Sequence, residues 1–193
     1  MGRSLEIERW YWCLAVVVLL LLLCLWGNGN IAFLSVNEAR RAVTVREMYQ
    51  ADDWLVPQMN GALYLAKPPL FYWLSLIPVS LQGAVSEWAM RLPSALSALA
   101  CCAGAFLLGK RLGGRGVGLY AAIFLAANAG FSLFARRAEI EMLLTALCFL
   151  ALLCAWVYLF RDHRRRWSRL SYVLLGAALL TKGPVALLFV SPR

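Results

Sequence analysis

Lys67 is the residue whose surroundings most directly suggest chemistry. It precedes two consecutive prolines, so the sequence predicts a rigid, extended backbone at this position instead of a helix. A rigid lysine near lipid head groups can hold a phosphate as a point charge. The alternative is a simple membrane anchor, in which the aliphatic stem lies along the membrane and the ammonium group reaches water.

A charged stretch, VNEARRAVTVREM at residues 36–48, precedes Lys67 and follows a long apolar run. Ser35 and Glu38 have the spacing of a capping box, which predicts that a helix begins here. Three- and four-residue spacings place four residues on one helical face: Glu38, Arg41, Ala42 and Val45. We expect this amphipathic helix to lie on the membrane, with Glu38 and the arginines at head-group depth. Capping and a functional role for Glu38 are compatible.

Two further carboxylates, Glu139 and Glu141, lie in a second short polar loop. Residues two apart cannot share a helical face, so we expect one of them to point into the helix bundle. Carboxylates beside a membrane are costly unless they are paired. Their expected partners are Arg136 or Arg137, a metal ion, or a substrate.

Lys182 lies within an apolar run and is followed directly by Gly183 and Pro184, which break a helix. An ionisable residue at a helix break inside a membrane predicts a functional site.

The elements that position these side chains are membrane helices, each of which needs about 20 apolar residues. Five segments qualify: residues 10–27, 92–109, 117–134, 142–160 and 170–190. Residues 68–83 are apolar too, but Pro78 interrupts them and they are short, which favours an interfacial or re-entrant helix over a span. The predicted fold class is an all-α integral membrane protein. It has about five transmembrane helices and amphipathic juxtamembrane helices in an outer loop, residues 28–91.

The remainder of that outer loop contains turn-forming and aromatic residues. Turns are predicted at Asp52-Asp53, Pro57 and Asn60-Gly61. Four aromatic side chains are suited to a membrane interface: Trp54, Tyr64, Tyr72 and Trp73.

Basic residues in short loops mark the cytoplasmic side of a membrane protein. With five spans, the N-terminus, residues 110–115 and residues 161–169 share one side, which carries ten basic and three acidic residues. The opposite side carries seven of each. The asymmetry predicts a cytoplasmic N-terminus and brings Glu38, Lys67, Glu139 and Glu141 to the outer face.

Composition excludes several classes of protein. The 193 residues are 62% hydrophobic and 15% charged, which is not the composition of a soluble globular domain. The net charge of +9 therefore reports sidedness, and no nucleic-acid partner is expected. All six cysteines fall inside apolar runs and are predicted to be buried thiols, not disulfides. The single histidine, His163, lies among arginines, so the sequence contains no Cys/His metal cluster.

Taken in order, the motifs resemble the lipid-linked-sugar glycosyltransferases of the GT-C fold, specifically the aminoarabinose transferase and protein O-mannosyltransferase superfamily. NEARR, REM, DDWLVP, NG, KPPLFYW and RLPSALSAL follow one another as they do in that family. The resemblance continues through ARRAEIEMLLTAL and LLTKGPVALL, so it covers nearly the whole chain. It is the ordered set that is specific, since no single motif would be.

The resemblance implies catalytic roles for two carboxylates. The family's first acidic motif helps to deprotonate or orient an acceptor hydroxyl, and it corresponds to Asn37 and Glu38. An amide cannot act as a base, so Glu38 is the candidate for the acidic role. A later acidic position corresponds to Glu141, which would support the acceptor or a divalent cation.

The resemblance also implies that Arg40 and Lys67 bind the phosphate of a polyprenyl-phosphate donor. Arg41 stands where the family usually has tyrosine. Together with Tyr64 and Lys182, it completes the candidate substrate-binding residues. The sequence supplies no metal-ligand set, and a divalent cation is left open as a cofactor.

The implied function is transfer of a sugar from a polyprenyl-phosphate donor to a lipid, glycan or protein acceptor, at the outer face of the bacterial inner membrane. Members of the family are longer, so we expect this multi-pass chain to be an N-terminal portion without the later spans and the soluble domain. The competing class is a non-enzymatic membrane protein, such as a transporter part or an assembly subunit, whose basic outer loop binds anionic lipid. The ordered motifs favour the transferase, and the sequence has none of the inverted repeats typical of transporters.

Overall fold

The computed structural model describes residues 25–185. In this part of the chain the elements are α1 (Val36–Gln50), β1 (Gln58–Met59), β2 (Ala62–Leu63), α2 (Leu70–Gln82), α3 (Glu87–Ala127), α4 (Ala129–Ala135), α5 (Ile140–Phe160) and α6 (Arg165–Lys182). The structure is dominated by helices, as predicted. The predicted first span, residues 10–27, lies outside the described residues except for its last three positions.

Helix α1 begins where the capping residues predict. The Ser35 hydroxyl accepts a hydrogen bond from the Glu38 N–H at 3.1 Å, and Glu38 Oε2 accepts one from the Leu34 N–H at 2.9 Å. The predicted face is buried, but against protein: Ala42 and Val45 pack in one core cluster with residues of α2 and α3. Glu38 and Arg41 on this face are therefore covered by protein, and their depth at the head groups stays a prediction.

The Asn60-Gly61 turn forms as predicted and joins β1 to β2. Both residues have positive φ, 57° and 74°, and the two strands pair antiparallel. Glu47 of α1 accepts hydrogen bonds from the N–H groups of Asn60 at 2.6 Å and Gly61 at 3.0 Å. The hairpin is thereby fixed to the end of α1, and the chain runs from it toward Lys67.

Helix α2 starts directly after the two prolines and ends at Gly83, whose φ is 75°. Its 13 residues span about 20 Å, less than the thickness of a bilayer's hydrocarbon core. Phe71, Leu76 and Val79 are fully buried against α1, α3 and α5. A short helix that packs on the bundle agrees with the prediction of an apolar segment that does not span.

Helix α3 reverses direction at Gly113 and Gly114. Both residues have non-helical backbone angles, and Gly114 has φ of 88°, a value that favours glycine. The two arms cross closely, since a methyl group added to Gly118 would lie 2.5 Å from the Phe106 carbonyl oxygen. The break falls inside the predicted loop, residues 110–115.

We expect Gly118→Ala to destabilise the protein by about 1–3 kcal/mol, because the added methyl group forces the two arms apart. Gly176→Ala is the matched control, since the methyl group there meets no atom within 4 Å. Thermal unfolding in detergent should show a lower midpoint for Gly118→Ala than for the unmodified protein. The midpoint of Gly176→Ala should not be lowered. Equal midpoints would contradict a close crossing.

Two of the described helices, α3 and α5, are long and apolar enough to cross a membrane. The helix is interrupted within the predicted span over residues 117–134: the chain breaks at Asn128, whose side chain accepts a hydrogen bond from the Phe131 N–H at 3.0 Å and caps α4. The five predicted spans themselves stay predictions.

Helices α5 and α6 pack side by side, and the Ser171 hydroxyl donates to the Ala151 carbonyl at 2.9 Å. The 21 residues of α5 span about 30 Å, so the loop before α5 and the turn after it lie at opposite ends of the bundle. Cys101, Cys102, Cys148 and Cys154 are buried thiols, as predicted. Cys13 and Cys24 lie outside the described residues.

Candidate active site

The most buried ion pair among the described residues joins Glu38 of α1 to Arg91 of α3. Arg91 Nε donates to Glu38 Oε1 at 3.0 Å, and the two side chains are 3% and 0% exposed. A buried carboxylate needs such a partner, because an unpaired charge in the interior is costly.

Arg91 also binds the segment that precedes α1. Its two terminal nitrogens donate to the carbonyl oxygens of Asn28 and Ile31, both at 2.7 Å, and of Ala32 at 3.0 Å. The ring of Phe33 lies 5.6 Å from the guanidinium carbon. Together with the bonds to Glu38, these contacts use the five N–H donors of the guanidinium group.

The contacts of Glu38 affect its acidity. Burial alone raises the pKa of the Glu38 carboxyl, but hydrogen bonds from Arg91, Ala138 and Leu34 and the charge of Arg91 outweigh it, so the pKa lies below its usual value. Both carboxylate oxygens accept hydrogen bonds, and the side chain is closed to solvent. These contacts favour a structural role for Glu38, while its catalytic role stays a prediction.

Stability should therefore fall in acid. A carboxyl whose folded-state pKa is depressed contributes its full stability above the unfolded-state pKa, and that contribution is lost as the pH falls through the folded-state pKa. We expect the free energy of unfolding to decrease over this range, and to do so less in Glu38→Gln. The measurement is chemical unfolding as a function of pH. Parallel curves for the two proteins would show that Glu38 is not the titrating group.

Ala138, in the loop before α5, is bound through its backbone on both sides. Its N–H donates to Glu38 Oε1 at 2.8 Å, and its carbonyl accepts from Arg41 Nη1 at 3.3 Å. The neighbouring Glu139 is held by two hydroxyl groups. Ser94 donates to its backbone carbonyl at 3.1 Å, and Ser35 donates to its side-chain carboxylate at 3.0 Å. Helices α1 and α3 thus fix the loop that carries the second pair of carboxylates.

Glu141 lies in the first turn of α5 between two cations from distant parts of the chain. Lys182 Nζ donates to Glu141 Oε1 at 3.1 Å, and Arg41 Nη2 lies 3.8 Å from Glu141 Oε2. The helix break predicted after Lys182 is confirmed, because α6 ends at that residue. Arg41, Glu141 and Lys182, three of the predicted site residues, therefore meet.

The predicted partners of the carboxylates in the second loop are only partly right. Of the two carboxylates, Glu139 and Glu141, Glu139 is the buried one. Its Oε1 lies 3.9 Å from Arg137 Nη1, so this pairing is as expected. Glu141 instead pairs with Arg41 and Lys182, because the tertiary fold brings α1 and the end of α6 to the start of α5.

A cavity of about 690 Å³ opens beside this cluster, between the second arm of α3, α4 and α5. Its walls are largely apolar, and they include Phe124, Phe131, Phe134 and Met142. Glu141 is the one ionisable side chain among its lining residues, and Glu141 Oε2 accepts no hydrogen bond from the described residues. Glu141 thus lines an apolar space with two cations beside its carboxylate, and its Oε2 atom is buried.

The remaining predicted site residues do not join the cluster through a direct contact. Arg40 and Lys67 are exposed and make no ion pair with the described residues. Tyr64 is half-buried, and its N–H donates to the Pro57 carbonyl at 2.8 Å. Burial and the neighbouring Tyr64 together raise the pKa of Tyr72 to about 12, against the opposing charge of Arg41, so Tyr64 lies in the electrostatic neighbourhood of the site.

No metal-binding set of three or more His, Cys, Asp or Glu side chains is present across residues 25–185. Glu141, the carboxylate proposed from the sequence to support a divalent cation, already pairs with two cations. The divalent cation that the sequence leaves open stays a prediction.

The role of Arg91 was not predicted from the sequence. There, this residue counted only among the seven basic residues on the side predicted to be outer. The signal was present: Arg91 is a lone arginine directly before a long apolar run, within the motif RLPSALSAL. An ionisable residue at the start of a membrane helix is rarely placed there without a partner.

The bundle and the polar cluster at one end define an all-α membrane protein with a carboxylate-centred site, and comparison with known proteins gives its family. Residues 66–191 match the model of the dolichyl-phosphate-mannose-protein mannosyltransferase family, and the chain belongs to this family. It is 32% identical over 181 residues to a protein from Shewanella sediminis named undecaprenyl phosphate-alpha-4-amino-4-deoxy-L-arabinose arabinosyl transferase, covering 90% of this chain and 33% of that protein. It is 29% identical to an uncharacterized protein from Aquifex aeolicus, over 93% of this chain and 35% of the relative.

Solved structures agree. The crystal structure of ArnT from Cupriavidus metallidurans bound to undecaprenyl phosphate superposes with a TM-score of 0.85 at 26% identity, over 92% of this chain and 33% of that one. The apo structure of the same protein gives a TM-score of 0.83. The resemblance to the GT-C-fold glycosyltransferases and the all-α membrane fold are confirmed. The chain spans about a third of the length of these relatives.

Proposed function

We propose that the protein transfers a sugar from a polyprenyl-phosphate donor to a hydroxyl of a lipid, glycan or protein acceptor. The names of the relatives and the undecaprenyl phosphate bound to ArnT support this class of donor. The observation that carries the proposal is the position of Glu141, which lines an apolar cavity while Lys182 and Arg41 flank its carboxylate.

In the proposed reaction the acceptor hydroxyl oxygen attacks the anomeric carbon of the donor sugar. The bond between that carbon and the phosphate oxygen breaks, and its electron pair leaves with the polyprenyl phosphate. The hydroxyl proton passes to the Glu141 carboxylate. The leaving group is a stable phosphate, so positioning and cationic stabilisation supply much of the rate enhancement.

Two roles are assigned to the cations. The exposed Arg40 and Lys67 bind the donor phosphate and stabilise its charge as the sugar leaves. Arg41 and Lys182 keep Glu141 ionised and oriented. Since the oxygens of Glu38 are already occupied by Arg91, Leu34 and Ala138, Glu141 is the better-supported acid of the two predicted candidates.

The proposed location is the bacterial inner membrane, crossed several times, with a cytoplasmic N-terminus and the site on the extracytoplasmic side. The net charges of the two sets of loops support this orientation.

Lys67→Ala provides the test. Loss of the lysine ammonium group removes one charge-assisted contact to phosphate, so we expect the rate of sugar transfer to fall about 10- to 100-fold. The assay adds radiolabelled polyprenyl-phosphate sugars to membranes that contain the protein expressed from its complete reading frame, and identifies the labelled product.

Lys110→Ala is the matched control, because Lys110 is also exposed but lies in the loop at the opposite end of the bundle. It should transfer sugar at the normal rate. Unchanged transfer in Lys67→Ala would remove Lys67 from the donor site. Absence of transfer from every donor in correctly inserted, folded protein would contradict the proposed function itself.

A further inference from the structure

We propose that the end of the bundle opposite the candidate active site binds the phosphate head group of an anionic phospholipid. The site is formed by six basic side chains, here called the basic end: Lys110, Arg111, Arg115, Arg161, Arg165 and Arg169. This inference does not depend on the proposed sugar transfer.

The fold brings two separate loops together at the basic end. One is the reversal of α3 at Gly113 and Gly114, and the other is the turn between α5 and α6. Arg161 joins them, because its Nη2 donates to the Arg111 carbonyl at 3.3 Å. Residues about 50 positions apart in sequence therefore form one positively charged surface.

Across residues 25–185 no acidic side chain neutralises this charge. The one acid in the two loops, Asp162, is occupied by Arg164 and Arg166, both at 3.4 Å, and by the indole N–H of Trp167 at 2.9 Å. The six cations of the basic end are exposed and form no ion pair with the described residues. Guanidinium groups gathered in this way repel one another unless an anion lies between them.

The surroundings identify the anion as a lipid head group. The basic end lies about 30 Å along α5 from Glu141, a distance close to the thickness of the hydrocarbon core. The Arg161 guanidinium lies 5.5 Å from the ring of Trp156, and the nearby Phe160 and Tyr172 are 68% and 72% exposed. At this depth the cations are suited to bind the phosphate of a lipid, while the exposed aromatic side chains contact its acyl chains.

The test uses the protein expressed from its complete reading frame, in nanodiscs that contain equal amounts of phosphatidylcholine and phosphatidylglycerol. Native mass spectrometry measures which lipid stays bound to the protein after the protein is released from the nanodisc. The unmodified protein should retain phosphatidylglycerol in preference. The combined variant Arg161→Gln, Arg165→Gln and Arg169→Gln should bind it on the order of 100-fold more weakly, because each basic residue near a membrane surface contributes about fivefold.

The matched control replaces the same three residues by lysine, which keeps the charge and should keep the preference. Raising the ionic strength should release phosphatidylglycerol from the unmodified protein, a measurement that does not depend on the folding of any variant. The proposal is overturned if the unmodified protein shows no preference, if the glutamine variant retains it, or if salt has no effect.

Discussion

Arg91→Met is expected to lower the free energy of unfolding by about 3–5 kcal/mol, the cost of leaving a buried charge without its partner. The substitution keeps an apolar side chain of similar length but leaves Glu38 unpaired and removes the donor from the carbonyls of Asn28, Ile31 and Ala32. The measurement is chemical unfolding in detergent micelles. Arg166→Met is the matched control, since its pair with Asp162 is exposed and should contribute no more than about 1 kcal/mol.

A double variant measures how much of this loss comes from the unpaired charge. Glu38→Met combined with Arg91→Met removes both charges, so it should be less destabilised than the sum of the single variants. A loss in Arg91→Met no larger than in Arg166→Met would show that the buried pair does not stabilise the outer end.

Glu141→Gln is expected to lower the rate of sugar transfer by a factor of about 10² to 10⁴, the usual contribution of a positioned acid or base. The amide has nearly the same shape as the carboxylate, so donor binding should change much less than the rate of the chemical step. Single-turnover kinetics with a labelled polyprenyl-phosphate sugar separate the two quantities.

Two glutamate variants make this result specific. Glu87→Gln, in the first turn of α3, should leave the rate unchanged. Glu38→Gln distinguishes the two candidate acids: if Glu38 acts by holding Arg91, its variant should lose stability more than turnover. A normal rate in Glu141→Gln with a large loss in folded Glu38→Gln would exchange the roles assigned to the two carboxylates.

Local signals in the sequence predicted a substantial part of the site. The capping residues gave the start of α1, the Asn60-Gly61 dipeptide gave the hairpin turn, and a charged residue before a glycine and proline gave the end of α6 at Lys182. Each of these depends on the chemistry of a few adjacent residues, which a single sequence contains in full.

Long-range pairing could not be predicted in the same way. Glu141 was expected to meet Arg136 or Arg137, a metal ion, or a substrate. Its observed partners are Arg41, 100 positions before it, and Lys182, 41 positions after it. Likewise, the helical face of α1 was predicted correctly, but the pattern could not say whether a membrane or the rest of the protein covers it. Both outcomes depend on how helices pack, which spacing along one helix does not encode.

The connection through Ala138 has a consequence for the evolution of this region. Glu38 and Arg41 bind the N–H and the carbonyl of that residue, atoms that nineteen of the twenty amino acids supply equally. The two bonds themselves do not depend on the side chain at position 138, although proline would remove the donor. Ala138 is also fully buried in the core cluster, so a small side chain is required there for packing and not for the attachment. Pairwise covariation between side chains of relatives would therefore not report this link between α1 and the loop before α5.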